Sequence, residues 1–358
     1  MTVFSHPEFD QHESVHQFQD DATGLRCIIA IHSTALGPAA GGCRRWTYQN
    51  DADAMTDALR LSKGMTYKNA VAGLNFGGGK SVILANDGAP KSDALFRAFG
   101  RAVDALGGRY VTAEDVGISV DDMRWVNQST PYVSGLPQDG TDAGGDPSPW
   151  TALGVYLGLE AAVKERLGRD NLAGLKVAVQ GVGNVGFHLC ELLHKADAQL
   201  VIADVNPVNL QRVTNTMPAT VVSPEDILFT DVDALSPCAL GAILSDKTIP
   251  KLRSKVIAGA ANNQLATHGD GALLTQHDIL YAPDYVINAG GIISVAHEYE
   301  GKTTSHHVQA DIEQIPGRLR DIFAEAKSTG KHTHDIADEL ARRIVANGNT
   351  PTPALAQA

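Results

Sequence analysis

Cysteine is scarce in this chain of 358 residues: Cys27, Cys43, Cys190 and Cys238 are the only four, and their spacing has no metal-type pairing. Two of them sit in apolar segments, so the set reads as reduced structural thiols of a cytoplasmic protein. Positive charge is also short. Lys and Arg total 29 against 41 Asp and Glu, a net charge of −12. A surface of that sign repels phosphate backbones and anionic lipid, which predicts no nucleic-acid partner and no membrane partner. Long apolar runs are missing too. The longest uncharged stretch, residues 27–43, contains His32, Ser33, Thr34 and Pro38 and cannot span a bilayer. The N-terminus MTVFSHPEFDQHES lacks the basic start and apolar run of a signal peptide. There is no internal repeat, and low complexity is confined to a Pro/Ala tail at 350–358.

What remains is the composition of a soluble globular enzyme, 43% hydrophobic and 20% charged, with 35 glycines available for loops that approach ligands. The length calls for two domains. Strand-like segments at 25–32, 70–74, 81–85 and 109–112, with helical patterns at 52–63 and 92–106, predict a mixed α/β first domain. A loop rich in Gly, Asp and Pro at 135–149 marks a boundary. Ser148 then supplies an N-cap with Pro149 at the first helical position, opening a long helix that Gly168 ends. Beyond it strands and helices alternate in doubly wound fashion, with later strands at 219–222, 256–260 and 285–288 and a last amphipathic helix at 334–346. The expected domains are 1–143, with 334–358 returning to it, and 144–333. A cleft between them is the expected place for chemistry.

The most specific motif lies in the second domain. An apolar strand (177–180) runs into Gly181-Val182-Gly183-Asn184-Val185-Gly186, a helix follows, and a second strand (200–203) ends at Asp204. Gly181 permits the strand-to-helix turn, Gly183 lets the backbone approach a pyrophosphate, and Gly186 lets the helix pack on its strand. The positive helix end takes the phosphates. Asp204 is placed to accept from a ribose 2′-hydroxyl and would repel a 2′-phosphate, so the dinucleotide predicted is NAD rather than NADP. The whole is a Rossmann-type domain, which holds a cofactor but names no substrate.

The first domain has to supply the substrate chemistry. Lys68 and Lys80 lie in KGMTYK and GGGK, around a short strand and a glycine loop. Partial desolvation and a second cation both lower a lysine pKa, which suits one of the pair to act as a base. A phosphate-loop reading of GGGKS fails, because its first glycine would have to stand at Leu74 and because strand-like residues follow the lysine. Asp115, in TAEDVG after a strand, is either a proton-transfer group or a turn residue. Asn262, after the strand at 256–260, and Asn288, at the end of the next, stand where open α/β sheets bind ligands. The thirteen histidines, including His306-His307 and His332-x-His334, show no HExxH spacing and read as solvated side chains; no metal site is expected.

Taken together, LGPAAGGCR (36–44), ALRLSKGMTYK (58–68), GGGK (77–80), AEDV (113–116), ANNQL (261–265) and PDYVINAGG (283–291) resemble the Glu/Leu/Phe/Val dehydrogenases, most closely the leucine branch, over about residues 24–298. That resemblance implies that Lys68 binds the substrate α-carboxylate with the backbone at Gly41 and Gly42. It also implies that Lys80 is the catalytic lysine and that Asp115 shuttles protons at the amino group. Thr151, Asn262 and Asn288 are implied around the nicotinamide and the polar end of the substrate. The implied reaction is reversible, NAD-dependent oxidative deamination of an amino acid to a 2-oxo acid and ammonia, by a homo-oligomer (an octamer or a dimer). Ala40 stands where glutamate-specific relatives carry a lysine, so glutamate would bury an unpaired charge at several kcal/mol. With Ala113, Ile292 and Val295 as further apolar walls, leucine, isoleucine or valine is the expected substrate. A roomier pocket for phenylalanine or tryptophan is the variant, since one methylene changes discrimination by only about 1–3 kcal/mol. A non-catalytic NAD-binding sensor is the remote alternative, disfavoured by Lys68, Lys80 and Asp115 together. The family pattern is lost after Val295, at His297-Glu-Tyr-Glu and His306-His307.

Overall fold

A computed structural model describes residues 2–85, 90–136, 146–239, 241–301 and 304–348. It divides into two compact units: residues 1–145 with 295–303 and 340–358, and residues 146–294 with 304–339. The return of the chain to the first unit therefore has two parts, 295–303 and the segment from 340 onward, and not the single segment 334–358. Most of the Gly/Asp/Pro loop expected at 135–149, the expected boundary at 143/144 and the 350–358 tail lie outside the described residues. No helix among the described residues is long and apolar enough to cross a membrane.

The first unit contains β1 (Ser14–Asp20), β2 (Leu25–Ser33), β3 (Ala39–Trp46), α1 (Asp51–Val71), β4 (Gly77–Leu84), α2 (Asp93–Asp104), β5 (Tyr110–Glu114) and α3 (Val120–Asn127). Its five-stranded sheet runs β1-β2-β4-β3-β5, with β3 parallel to β4 and β5 and the β1–β2 and β2–β4 pairs antiparallel. Every residue of β2 from Cys27 to Ile31 is buried because helices cover both faces. Ile29 and Ile31 pack with Phe96, Phe99 and Met123 of α2 and α3, while Ile28 and Ala30 pack with Ala54, Ala58 and Leu59 of α1. Each fully buried large side chain contributes about 1.5–3 kcal/mol.

Two expectations fail here. The apolar run at 70–74 is no strand: it prolongs α1, which Gly73 ends in the left-handed conformation at φ 70°. The glycine run 77–79 is no loop but the start of β4, and there is no room for side chains on it. A Cβ at Gly78 would lie 2.1 Å from Thr66 N on α1, and one at Gly79 would lie 2.7 Å from the Tyr110 ring. Sequence reading also missed β1 and the glycine-rich β3, whose intrinsic strand preference is weak.

The second unit contains α4 (Ser148–Leu167), β6 (Lys176–Gln180), α5 (Asn184–Lys195), β7 (Gln199–Ala203), α6 (Pro207–Thr214), β8 (Ala219–Val221), β9 (Ala234–Pro237), β10 (Val256–Ile257), α7 (Asp270–Gln276), β11 (Leu280–Tyr281) and α8 (Asp284–Ile287). After it come α9 (Gly290–Tyr299), α10 (Ser305–Ile312), α11 (Ile315–Thr329) and α12 (Thr333–Asn347). The parallel sheet has the order β11-β10-β9-β6-β7-β8, a doubly wound Rossmann arrangement that reverses direction at β6. Gly168 does cap α4 at φ 66°. Its N-cap, however, is Pro147, with Ser148 already helical and its N–H held by Asp146 Oδ1 at 2.9 Å. Residues 285–287 lie in α8, with Asn288 its C-cap, and form no strand; Pro283 opens that turn by accepting from the N–H groups of Val286 and Ile287. The ladder of β10 stops at Ile257, paired with Leu235; two residues on, Gly259 meets Pro237, which has no N–H to give and whose O would lie 2.3 Å from a Cβ there.

Candidate active site

In the first unit the sheet itself assembles the charged residues. Cys43 of β3 pairs with Ser81 of β4 on one side and Glu114 of β5 on the other. Lys80 and Asp115 are therefore one residue away from the same row. Gly42 provides the space in which they meet, since a Cβ there would lie 2.9 Å from Asp115 Cβ. Lys80 Nζ reaches Asp115 Oδ2 at 2.6 Å with the lysine side chain 7% exposed. Gly41 is needed for a different close approach, its Cβ position falling 1.9 Å from Gly79 O, and Tyr110 Oη donates to Gly41 O at 2.6 Å. Lys68 lies in the last turn of α1, half-buried. That turn is held over the glycine run by Asn69, whose Nδ2 donates to Gly77 O at 2.6 Å.

Sequence reading found Lys80 and Asp115 but missed what holds them. Arg44 Nε lies 3.2 Å from Asp115 Oδ2, and its Nη1 lies 2.9 Å from Asp57 Oδ2, which also accepts from Tyr48 Oη at 2.9 Å. Arg44 closes the LGPAAGGCR run, so the signal was present but unassigned. Burial pushes the Asp115 carboxyl up, but the positive charges of Lys80 and Arg44 outweigh it and hold the group down at about 2. Asp115 is ionised at neutral pH. The Lys80 ammonium meets a carboxylate, a partner that the sequence reading did not assign to it.

Ala40, 7% exposed, belongs to an apolar cluster with Phe76, Val111 and Ala296, flanked by Leu74 and Tyr299. The Phe76 and Tyr299 rings meet edge to face at 5.7 Å. Ala113 is buried opposite Gly42. Ile292 and Val295 are half-buried on α9. Ala296 and Tyr299, one helical turn further along the same face, were missed because the family pattern had been lost by then. Glu298, on that departing segment, holds the backbone in place, its carboxylate accepting from the N–H groups of Gly135 and Leu136 at 2.9–3.1 Å.

The second unit builds its part from backbone. Gly181 is at φ 88° with Ala239 packed against it, a conformation that suits glycine alone. A Cβ on Gly186 would fall 2.0 Å from Gly181 O, whereas the space beyond Gly183, the N-cap of α5, is open. Val182 is buried behind the turn, and Asn184 and Val185 open α5. Asp204 accepts the Val182 N–H at 2.8 Å and the Asn206 N–H at 2.7 Å, so the acid is tied to the glycine turn. Asn288 Nδ2 donates to Ala260 O at 3.0 Å and Asn262 Oδ1 at 2.8 Å, while its buried Oδ1 has no partner. Thr151 lies beside Gly291, where a Cβ would come within 2.6 Å of its hydroxyl. Asn262 and Asn288 are thus in contact, and Thr151 lies against the Gly290–Gly291 backbone that follows Asn288. The open cradle at Gly183, the first turn of α5 and an orphaned amide oxygen fit a dinucleotide ending in a carboxamide.

The histidines depart from expectation. His306 and His307 are exposed, but His12, His297 and His334 are buried, His12 against Leu59 O and Ser62 Oγ at 3.1 Å each. All four cysteines are free thiols, three of them buried.

Comparison with known proteins adds the following. The family model described as Glu/Leu/Phe/Val dehydrogenase, dimerisation domain, matches residues 11–132, and that described as Glutamate/Leucine/Phenylalanine/Valine dehydrogenase matches 203–350. A leucine dehydrogenase of Geobacillus stearothermophilus is 49% identical over 346 residues, 96% of this chain and 94% of that one. A phenylalanine dehydrogenase of Bacillus thermotolerans is 42% identical over 347 residues, 95% and 90% of the two chains. The crystal structure of L-tryptophan dehydrogenase from Nostoc punctiforme superposes with a TM-score of 0.81 at 46% identity, covering 94% of this chain and 96% of that one.

Proposed function

The chain belongs to the Glu/Leu/Phe/Val dehydrogenase family, oxidoreductases acting on the CH–NH2 group of amino acids, and on that premise we propose that it catalyses NAD-dependent, reversible oxidative deamination of a branched-chain aliphatic L-amino acid. The observation that carries this reading is the buried Lys80–Asp115 pair at 2.6 Å. In balanced form, the amino acid, NAD⁺ and water give the 2-oxo acid, ammonium, NADH and a proton. When bound, the nicotinamide ring supplies the acceptor for the hydride that leaves Cα. Lys68, with the backbone at Gly41 and Gly42, holds the α-carboxylate. Asp115 takes the proton that the substrate ammonium must lose before an iminium can form. Lys80, once its ammonium has released to solvent the proton that appears in the overall reaction, takes a proton from the water that attacks the iminium carbon, and its separation from Asp115 is within proton-transfer reach. Because Asp115 is held down by cationic neighbours, its proton affinity rises whenever Lys80 is neutral, which couples the two steps. The dinucleotide would be held by the turn from Gly181 to Gly186, with Asp204 at the ribose and Thr151, Asn262 and Asn288 at the carboxamide end.

The apolar cluster around Ala40 supports an aliphatic side chain over an acidic one, since a carboxylate placed there gains no partner. Ala40 is also small, and aromatic amino acid dehydrogenases are close relatives, so phenylalanine or tryptophan is the second reading. A homo-oligomer, an octamer or a dimer, working in the cytoplasm completes the proposal, in keeping with the dimerisation-domain match and the free thiols.

The test is a panel of L-amino acids with NAD⁺ and with NADP⁺ at alkaline pH, read by reduced-cofactor absorbance, with light scattering for subunit number. Leucine, isoleucine and valine should turn over with NAD⁺ and glutamate should not. A higher kcat/KM for phenylalanine or tryptophan than for leucine selects the second reading; no turnover of any amino acid defeats both. Ala40→Lys should raise the ratio of acidic to aliphatic turnover, and an unchanged ratio would remove Ala40 from the side-chain pocket.

A further inference from the structure

One group of side chains in the second unit is assembled for chemistry that amino acid dehydrogenation does not use. The turn before α7 carries His268, and the first turns of α12 carry His334, Asp335 and Asp338. His268 Nε2 lies 3.5 Å from Asp335 Oδ1 and 3.6 Å from Asp338 Oδ2, and His334 Nε2 lies 3.3 Å from that same Asp335 oxygen. The two imidazoles stand edge to face with centroids 4.6 Å apart. These separations are longer than well-formed N–H···O bonds, which cluster at about 2.7–3.2 Å. They match the edges of a coordination tetrahedron: with metal–ligand bonds of about 2.0–2.2 Å, neighbouring donors sit about 3.3–3.5 Å apart.

We propose that His268, His334 and Asp335, whose donor atoms all lie within 4.8 Å of one another, form a binding site for a divalent transition-metal ion of the zinc class, joining the α7 turn to α12. Two imidazoles and one carboxylate are a donor set that zinc accepts, with water completing the tetrahedron on the exposed side of His268. His334 is fixed in place, since its ring packs so tightly on Gly271 that a Cβ there would come within 2.1 Å of it. Asp338 stands beside this group as an outer carboxylate, its Oδ2 3.6 Å from His268 Nε2 and its Oδ1 accepting from Tyr285 Oη at 2.8 Å. An ion can enter from solvent, because the His268 side chain is 64% exposed. His332 stays outside the set, with its Nδ1 on Thr275 Oγ1 at 2.9 Å.

The experiment titrates zinc chloride into the chelator-stripped full chain by competition with a chromophoric chelator. One ion per chain should bind. His268→Ala, at an exposed position that leaves the packing intact, and Asp335→Asn should each weaken binding by about 10–100-fold. The double variant His306→Ala with His307→Ala, which removes an exposed histidine pair elsewhere, should bind as the parent does. Zinc should raise the Tm of the parent and not that of His268→Ala. Cobalt(II) in place of zinc should give the intense visible absorption of a tetrahedral site. Absence of stoichiometric binding, equal affinity in His268→Ala, loss of binding on removal of His306 and His307, or a weak octahedral cobalt spectrum would each overturn the assignment.

Discussion

The two units reach their sites by opposite routes. In the second, residues consecutive in sequence, Gly181 to Gly186, form a turn whose working parts are backbone N–H groups, and side chains matter there chiefly by being absent. In the first, Lys80, Asp115 and Arg44 come from separate parts of the chain and converge because β3, β4 and β5 are neighbours and Gly42 leaves a gap between them. A backbone-made site is damaged by adding atoms. A site made by charged side chains is damaged by removing them, and each loss leaves its partners with unbalanced charge.

The sharpest break of that contrast comes from Lys80→Ala, expected to lower kcat by about 10²–10⁴-fold, the range for loss of a positioned proton-transfer group. The Kd for NADH, read by fluorescence, should stay within about twofold on the same reasoning. A matching loss of cofactor affinity would show that the units do not divide their labour as proposed. Next in size is Gly186→Ala. Its new methyl falls on the Gly181 carbonyl, so the turn must shift, and cofactor affinity should fall by at least about tenfold, the cost of misplaced backbone donors. An unchanged Kd would mean that the helix can slide away from its strand. A smaller effect is expected from Arg44→Met, which leaves Lys80 in place. Loss of one of two cations raises the Asp115 pKa, so the acid limb of the kcat/KM profile should move to higher pH, with kcat reduced about tenfold at neutral pH. A limb that stays put would separate Asp115 from the rate.

The smallest effect concerns stability and the first unit alone. Burial, aided by the charge of His12, lowers the pKa of His32 from the usual imidazole value to about 4. The folded state therefore binds fewer protons than the unfolded state between those values, and stability should decline as the pH falls from about 6.5 toward 4. His32→Asn should flatten that decline in urea midpoints measured across the range. An identical slope would place the proton uptake elsewhere.

How much was readable in advance follows the same division. The glycine turn, α5 and β7 lie where the glycine spacing and apolar runs placed them, because local backbone geometry alone demands those residues. In the first unit Lys80 and Asp115 could be named, but their setting was misread. GGGK looked like a loop, since glycine disfavours strands and only the packing of Thr66 and Tyr110 reveals why no side chain fits there. The apolar runs at 70–74 and 285–288 have strand-like composition but form no strand. Short hydrophobic stretches carry no period of their own, and Gly73 and Pro283 settle the outcome through their backbone conformations. The histidines at 268 and 334 are far apart in the chain and show no spacing that a sequence motif would register.

By itself, then, the amino-acid sequence determined the doubly wound Rossmann unit, the family and the identities of the lysines and acid that carry charge, all of them matters of local geometry or residue type. Tertiary structure alone decided that Lys80 is matched with Asp115, that Arg44 holds both acids around it, that Ala296 and Tyr299 join the cluster around Ala40, and that His268 approaches His334. Those are long-range encounters, and their geometry depends on strand order and on gaps left by absent side chains, neither of which any local pattern encodes.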